Sequence, residues 1–203
     1  QGPPGVGKSF AASKLAFALI GQEDRDRVEF VQFHQSYSYE DFVEGYRPTE
    51  LGFKLEFGKF VQFCRKAEAD PANAYVFIID EINRGNLSKI LGELMLLIES
   101  DKRGPDWAMR LASGNVPFHV PANVHLMGLM NTADRSLAVV DYALRRRFAF
   151  VDLKPKLSSA KFAEHLRGNG VRQEVVSILI DRIGLLNQEI VSDVMNLGPG
   201  FAI

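Results

Sequence analysis

Cysteine is nearly absent: Cys64 stands alone in 203 residues. That excludes an internal disulfide and any four-ligand zinc site built from cysteine. It fits a reducing, cytoplasmic compartment, and the apolar pattern Phe60-Val-Gln-Phe-Cys64 marks a buried structural thiol. An excess of one charge is also missing. Lys and Arg total 24 against 25 for Asp and Glu, a net charge of −1, so no global field attracts nucleic acid or an anionic membrane. There is no long uncharged apolar run and no secretory signal, hence no expected membrane span. Internal repeats and low-complexity segments are lacking too.

What is present starts at the first residues. Gly2-Pro-Pro-Gly-Val-Gly-Lys-Ser9 fits G-x-x-x-x-G-K-[ST], the phosphate-binding loop. Gly5 and Gly7 allow backbone conformations that point N–H groups at phosphate oxygens. Lys8 supplies a compact positive charge between the outer phosphates, and the Ser9 hydroxyl ligates Mg²⁺. A helix over 8–20 aims its positive dipole end at the same anion. Pro3, Pro4, Val6 and Phe10 complete the expected nucleotide-binding stretch. A glycine-rich turn before a helix is the plainer alternative. Such a loop springs from a buried parallel strand, and none precedes it, so the chain reads as a fragment of a longer protein.

Val28-Glu-Phe-Val-Gln-Phe33 alternates as a strand does, and 34–48 reads as loop and short helix. A small hairpin is expected over 51–57 and a helix over 59–69. Tyr75-Val-Phe-Ile-Ile-Asp80 is a continuous apolar run ending in acid, the mark of a strand buried on both faces. Leu87, Ile90, Leu91, Leu94, Leu97 and Ile98 recur at helical spacing, giving an amphipathic helix over 87–99. Residues 101–121 suggest a loop or hairpin insertion. Further strands are expected over 124–130 and 148–153, a short helix over 140–145, and helices over 158–197 divided by Gly168-Asn-Gly170. The alternation argues for an α/β fold, a parallel sheet with helices on both faces and its first strand missing. Residues 1–155 form the nucleotide-binding core and 156–203 a small helical lid.

Ligands bind at the C-terminal ends of parallel strands, where the phosphate loop, Asp80-Glu81 and Asn131 all fall. Asp80 would hold Mg²⁺, usually through water, and Glu81 would polarise the attacking water as general base. An acidic pair after a strand is also a common helix cap; the loop upstream favours catalysis. Asn131 suits the lytic water and the γ-phosphate, though asparagine also favours turns. Arg145-Arg146-Arg147 reads as a solvated face, a nucleic-acid contact, or an arginine finger offered across a subunit boundary. Its place between a short helix and the last strand favours the finger.

Together Gly2-Pro-Pro-Gly-Val-Gly-Lys-Ser9, Val76-Phe-Ile-Ile-Asp-Glu-Ile-Asn-Arg84, Met130-Asn-Thr-Ala-Asp-Arg-Ser136 and Asp141-Tyr-Ala-Leu-Arg-Arg-Arg-Phe148 resemble an AAA+ ATPase module. More narrowly they resemble the McrB-type AAA+ GTPases, within the dynein-related and MoxR-like branch; Gln32–Pro48 is similar to that branch as well. The resemblance implies that Lys8 and Ser9 lie on Walker A, Asp80 and Glu81 on Walker B, and Asn131 on the sensor asparagine. It places Arg146 and Arg147 on arginines that reach a neighbour's nucleotide or sense the γ-phosphate in cis, without separating the two roles. Asp134 and Arg135 fall at an interface or behind the site.

The same resemblance implies a Mg²⁺-dependent motor subunit of a 5-methylcytosine-specific, modification-dependent restriction endonuclease. Its partners would be further copies in a ring, commonly a hexamer, an McrC-type nuclease subunit, and DNA through a domain outside this fragment. The cofactor is GTP or ATP. The Asn-Lys-x-Asp pattern by which small GTPases read guanine is absent, so GTP rests on the resemblance alone. Alternatives are a MoxR- or dynein-like ATPase remodelling protein complexes, and a nucleotide-dependent assembly scaffold that barely hydrolyses. The sequence stops at Gly198-Pro-Gly-Phe-Ala-Ile203, where the family continues into its second sensor region. His119 and His125 flank Pro121 without a cysteine or carboxylate at ligand spacing, so they read as ordinary hairpin residues, and Trp107 as local packing.

Overall fold

The computed structural model describes residues 1–114, 116–133 and 145–192. They group into two compact units, one of residues 9–130 and 145–149, the other of 1–8, 131–133 and 150–192. In chain order the elements are α1 (Lys8–Ile20), β1 (Val28–Gln32), α2 (Tyr39–Phe42), β2 (Glu44–Thr49), β3 (Gly52–Phe57), α3 (Lys59–Glu68), β4 (Tyr75–Asp80), α4 (Leu87–Leu91), α5 (Leu94–Leu97), β5 (Met109–Arg110), β6 (Pro117–Phe118), β7 (Val124–Gly128), α6 (Ala160–Gly168) and α7 (Gln173–Ser192).

The larger unit is built on a parallel sheet with β4 between β1 and β7. Gln32 sits opposite Asp80, and Ile79 opposite Gly128. Val76, Phe77, Ile78 and Ile79 are fully buried, which explains why this strand carries no polar relief. Its alternation divides the core: Val76 and Ile78 pack with Ala12 and Ala16 of α1, while Phe77 and Ile79 join the larger cluster that includes α3 and α4.

Aromatic rings dominate that larger cluster. Phe42 stacks on Phe60 at 4.9 Å and meets Phe33 and Phe77 edge-on. Ser38 caps the short α2, and Asp41 answers with its carboxylate in a capping box; this turn carries Phe42 into the core. Phe42→Ala is therefore expected to lower stability by about 3–5 kcal/mol, read as a shift of the chemical denaturation midpoint.

Two expectations change in this unit. The hairpin is larger than 51–57, because β2 pairs in antiparallel register with β3 from Glu44–Phe57 to Thr49–Gly52. The first arm, Glu-Gly-Tyr-Arg-Pro-Thr, has too little apolar alternation to announce itself. The helix expected over 87–99 is two short ones, broken where Gly92 takes φ 48°. The 101–121 segment is a hairpin insertion as expected, closed by the small antiparallel β5–β6 pair, and Lys102 Nζ lies 4.0 Å from the Trp107 ring centre, a local packing contact.

In the smaller unit Gln1 and Gly2 behave as a strand end. Gly2 bridges Asn131 in parallel, and Thr132 N donates to Gly2 O. On the other side, Gln1 N donates to Val151 O and Leu153 N to Gln1 O. The expected strand over 148–153 does not form a regular strand; Val151 and Leu153 make backbone bonds to Gln1. Helices α6 and α7 appear as expected, α6 capped by Ser159. No helix of the described residues is long and apolar enough to cross a membrane. The expectations for Asn115, Asp134, Arg135, residues 140–144 and 193–203 lie outside the described residues.

Candidate active site

The smaller unit holds the phosphate loop. Gly5 and Gly7 take φ 79° and 78°, the left-handed region that L residues resist, and no atom lies within 4 Å of where a Cβ would stand. They are glycines for conformation. Gly2 is one for space, since a Cβ there would meet Leu153 O at 2.4 Å. Lys8 Nζ donates to Gly2 O and Pro3 O at 2.9 and 2.8 Å. The ammonium is thus held over its own loop by neutral carbonyls, which charged phosphate oxygens outcompete. Pro3 is buried, Val6 half-buried, and Pro4 exposed.

Asn131 belongs to the same unit and is tied to the loop through Gly2. Its Oδ1 accepts from Ala133 N at 3.1 Å, an Asx turn that fixes the side chain. The turn that asparagine favours is thus present, and the bond on Oδ1 orients the side chain.

The larger unit holds Ser9, Phe10, Asp80, Glu81, Arg146 and Arg147. Ser9 is exposed in the first turn of α1, and Phe10 is 70% exposed. Asp80, at the end of β4, accepts Glu81 N on Oδ1 at 2.9 Å. Glu81 has φ 51° and ψ 42°, the sole non-glycine with positive φ among the described residues. Such strain persists where surrounding contacts hold it and clusters at functional sites. Here a 3₁₀ turn over Ile82–Arg84 follows, with Ile82 N bonded to Leu129 O. Arg84 Nε lies 3.2 Å from Glu81 Oε2, the Glu81 side chain being 18% exposed.

Two acceptors on this turn are buried without a hydrogen-bond donor, Glu81 Oε2 and Asn83 Oδ1. Asn83 and Arg84 stand in the recognised motif, yet sequence reasoning assigned them no role. The available signal was the three-residue spacing of acid and base, which a 3₁₀ turn eclipses.

The donor set suits Mg²⁺. Ser9 and Asp80 offer hard oxygens, and no group of three or more His, Cys, Asp or Glu gathers among the described residues. Mg²⁺ keeps several waters and takes phosphate oxygens, so it needs no all-protein cage. Phosphate activation by the bound ion is the chemistry it would supply.

The arginines diverge. Arg147 Nε donates to Met95 O at 2.6 Å, its Nη2 lies 2.7 Å from Glu99 Oε1, and its side chain is 8% exposed. Arg146 is exposed. The histidines differ from the hairpin pair expected: His119 lies 3.5 Å from the Glu68 carboxylate, and His125 stands in β7 of the parallel sheet, where burial lowers its pKa with a smaller contribution from Arg103. Cys64 is buried, and desolvation pushes its thiol well above the ordinary range, as expected of an inert structural thiol.

The profile of the AAA domain (dynein-related subfamily) matches residues 1–148. The chain is 52% identical over 206 aligned residues to the Type IV methyl-directed restriction enzyme EcoKMcrB subunit of Escherichia coli (strain K12), covering all of this chain and 45% of that protein. It is 25% identical over 187 residues to the Type II restriction enzyme BsuMI component YdiS of Bacillus subtilis (strain 168), covering 73% of this chain and 54% of that protein. The chain spans about half the length of both relatives. With the phosphate loop and the strand-end acids in place, this chain belongs to the dynein-related subfamily of AAA domains, a P-loop nucleoside triphosphatase family.

Proposed function

We propose that this domain is the Mg²⁺-dependent, GTP-hydrolysing motor of a modification-dependent DNA restriction system. The observation that carries this is the 52% identity, across the whole chain, to a methyl-directed restriction subunit. In this reading the loop N–H groups and Lys8 hold the phosphates, and Ser9 and Asp80 hold Mg²⁺. Glu81 activates the water and Asn131 orients it against the γ-phosphate. Residues 156–203 act as a lid on the 1–155 core. Protomers assemble into a ring, a hexamer, with nucleotide at each interface. A separate McrC-type nuclease subunit and DNA engaged elsewhere in the full protein complete the system.

Arg146 and Arg147 take different roles here. Arg147 is committed to Met95 and Glu99 within its own unit, so the exposed Arg146 is the finger offered to a neighbour. The test is phosphate release by the full-length protein with GTP and ATP side by side, with and without its nuclease partner. Clear GTP preference with stimulation by the partner is expected. Equal or better use of ATP, indifferent to the partner, would transfer the function to the remodelling ATPases.

A further inference from the structure

We propose that Arg84 is the positioning residue for the general base Glu81, an inference that rests on the role proposed for Glu81 above. Three observations meet at this turn. Glu81 is held in the left-handed region at φ 51°, a conformation that costs roughly 1–3 kcal/mol and survives only where neighbours impose it. The backbone then tightens into a 3₁₀ turn, with Arg84 N bonded to Glu81 O at 2.8 Å. Side chains three residues apart eclipse in that geometry, which brings the Arg84 guanidinium over the Glu81 carboxylate at 3.2 Å.

The contact is ionic without being an aligned hydrogen bond. Glu81 Oε2 lies within ion-pair distance of Arg84 Nε, yet it is buried with no hydrogen-bond donor. A buried acceptor left unfilled costs free energy and calls for a reason. Arg84 supplies one: its charge fixes the direction of the carboxylate while leaving a lone pair available for a water O–H. A base must lie within hydrogen-bond reach of the proton it abstracts, so fixing that direction is a contribution to turnover and not to nucleotide binding. Asp80 assists from the other side by accepting Glu81 N. Arg84 itself touches no reacting atom in this scheme; it acts through Glu81.

The experiment uses the full-length protein assembled with its partner subunit, with Mg²⁺ and with GTP and ATP in parallel. Arg84→Ala is expected to lower kcat by about 10–100-fold, the range typical when a group that orients a functional residue is removed. KM for nucleotide should stay unchanged, and Arg84→Lys should recover most of the loss. In the double variant, adding Arg84→Ala to Glu81→Gln should cost nothing further, because residues acting as one unit are not additive. An unchanged or raised kcat in Arg84→Ala would overturn the proposal. So would a full additive loss in the double variant. If Arg84→Ala does not fold, Arg84→Lys decides alone: kcat as low as background in a folded protein would equally overturn it. Wild-type turnover by Glu81→Gln would instead remove the base assignment, a failure separate from that of Arg84.

Discussion

Glu81→Gln is expected to reduce turnover by about 10²–10⁴-fold, the contribution usual for a positioned general base, while nucleotide still binds. The amide is nearly the same size, so the turn that seats residue 81 between Asp80 and the Ile82–Leu129 bond should survive. What is lost is the anionic acceptor. Phosphate release measured alongside nucleotide affinity separates the two outcomes. A large loss of turnover with affinity kept supports the base, whereas loss of affinity would mean that residue 81 holds the ground state. Retained turnover would show that another group activates the water.

Arg146→Ala is expected to lower turnover by about 10³–10⁵-fold, the effect of withdrawing an arginine finger, and only in the assembled protein. The two replacements should complement each other. Protomers carrying Arg146→Ala keep Glu81, and protomers carrying Glu81→Gln keep Arg146. Mixed rings therefore contain interfaces with both groups intact, and part of the activity should return on mixing. No return would place Arg146 in cis. Arg147→Ala should behave differently, because it removes the bonds to Met95 and Glu99. A loss of about 1–3 kcal/mol in stability is expected from the unpaired groups left behind, visible as a lower melting temperature in the protomer itself.

Local chemistry was legible in the sequence because its cause is local. The phosphate loop declares itself through glycines at φ 79° and 78°, a conformational demand that few other residues meet. The buried strand Tyr75–Asp80 declares itself through an unbroken apolar run. The shortfalls were also physical. The β2 arm is polar and is defined by its register with β3, not by its own pattern. The 87–99 stripe has helical spacing throughout, but Gly92 at φ 48° breaks it against the grain of that spacing.

By itself the sequence determined the family and the α/β class, since those follow from residue type at fixed spacing. Only the tertiary structure showed Arg147 bonded to Met95, 52 residues away in the chain, and Arg146 exposed. Only it brought Arg84 over Glu81, through a left-handed residue that no propensity announces. And only it showed Gln1 and Gly2 flanked by Asn131 on one side and Val151 to Leu153 on the other. Side-chain direction and strand neighbours are set by long-range packing, and that information is not carried by any short stretch of the chain.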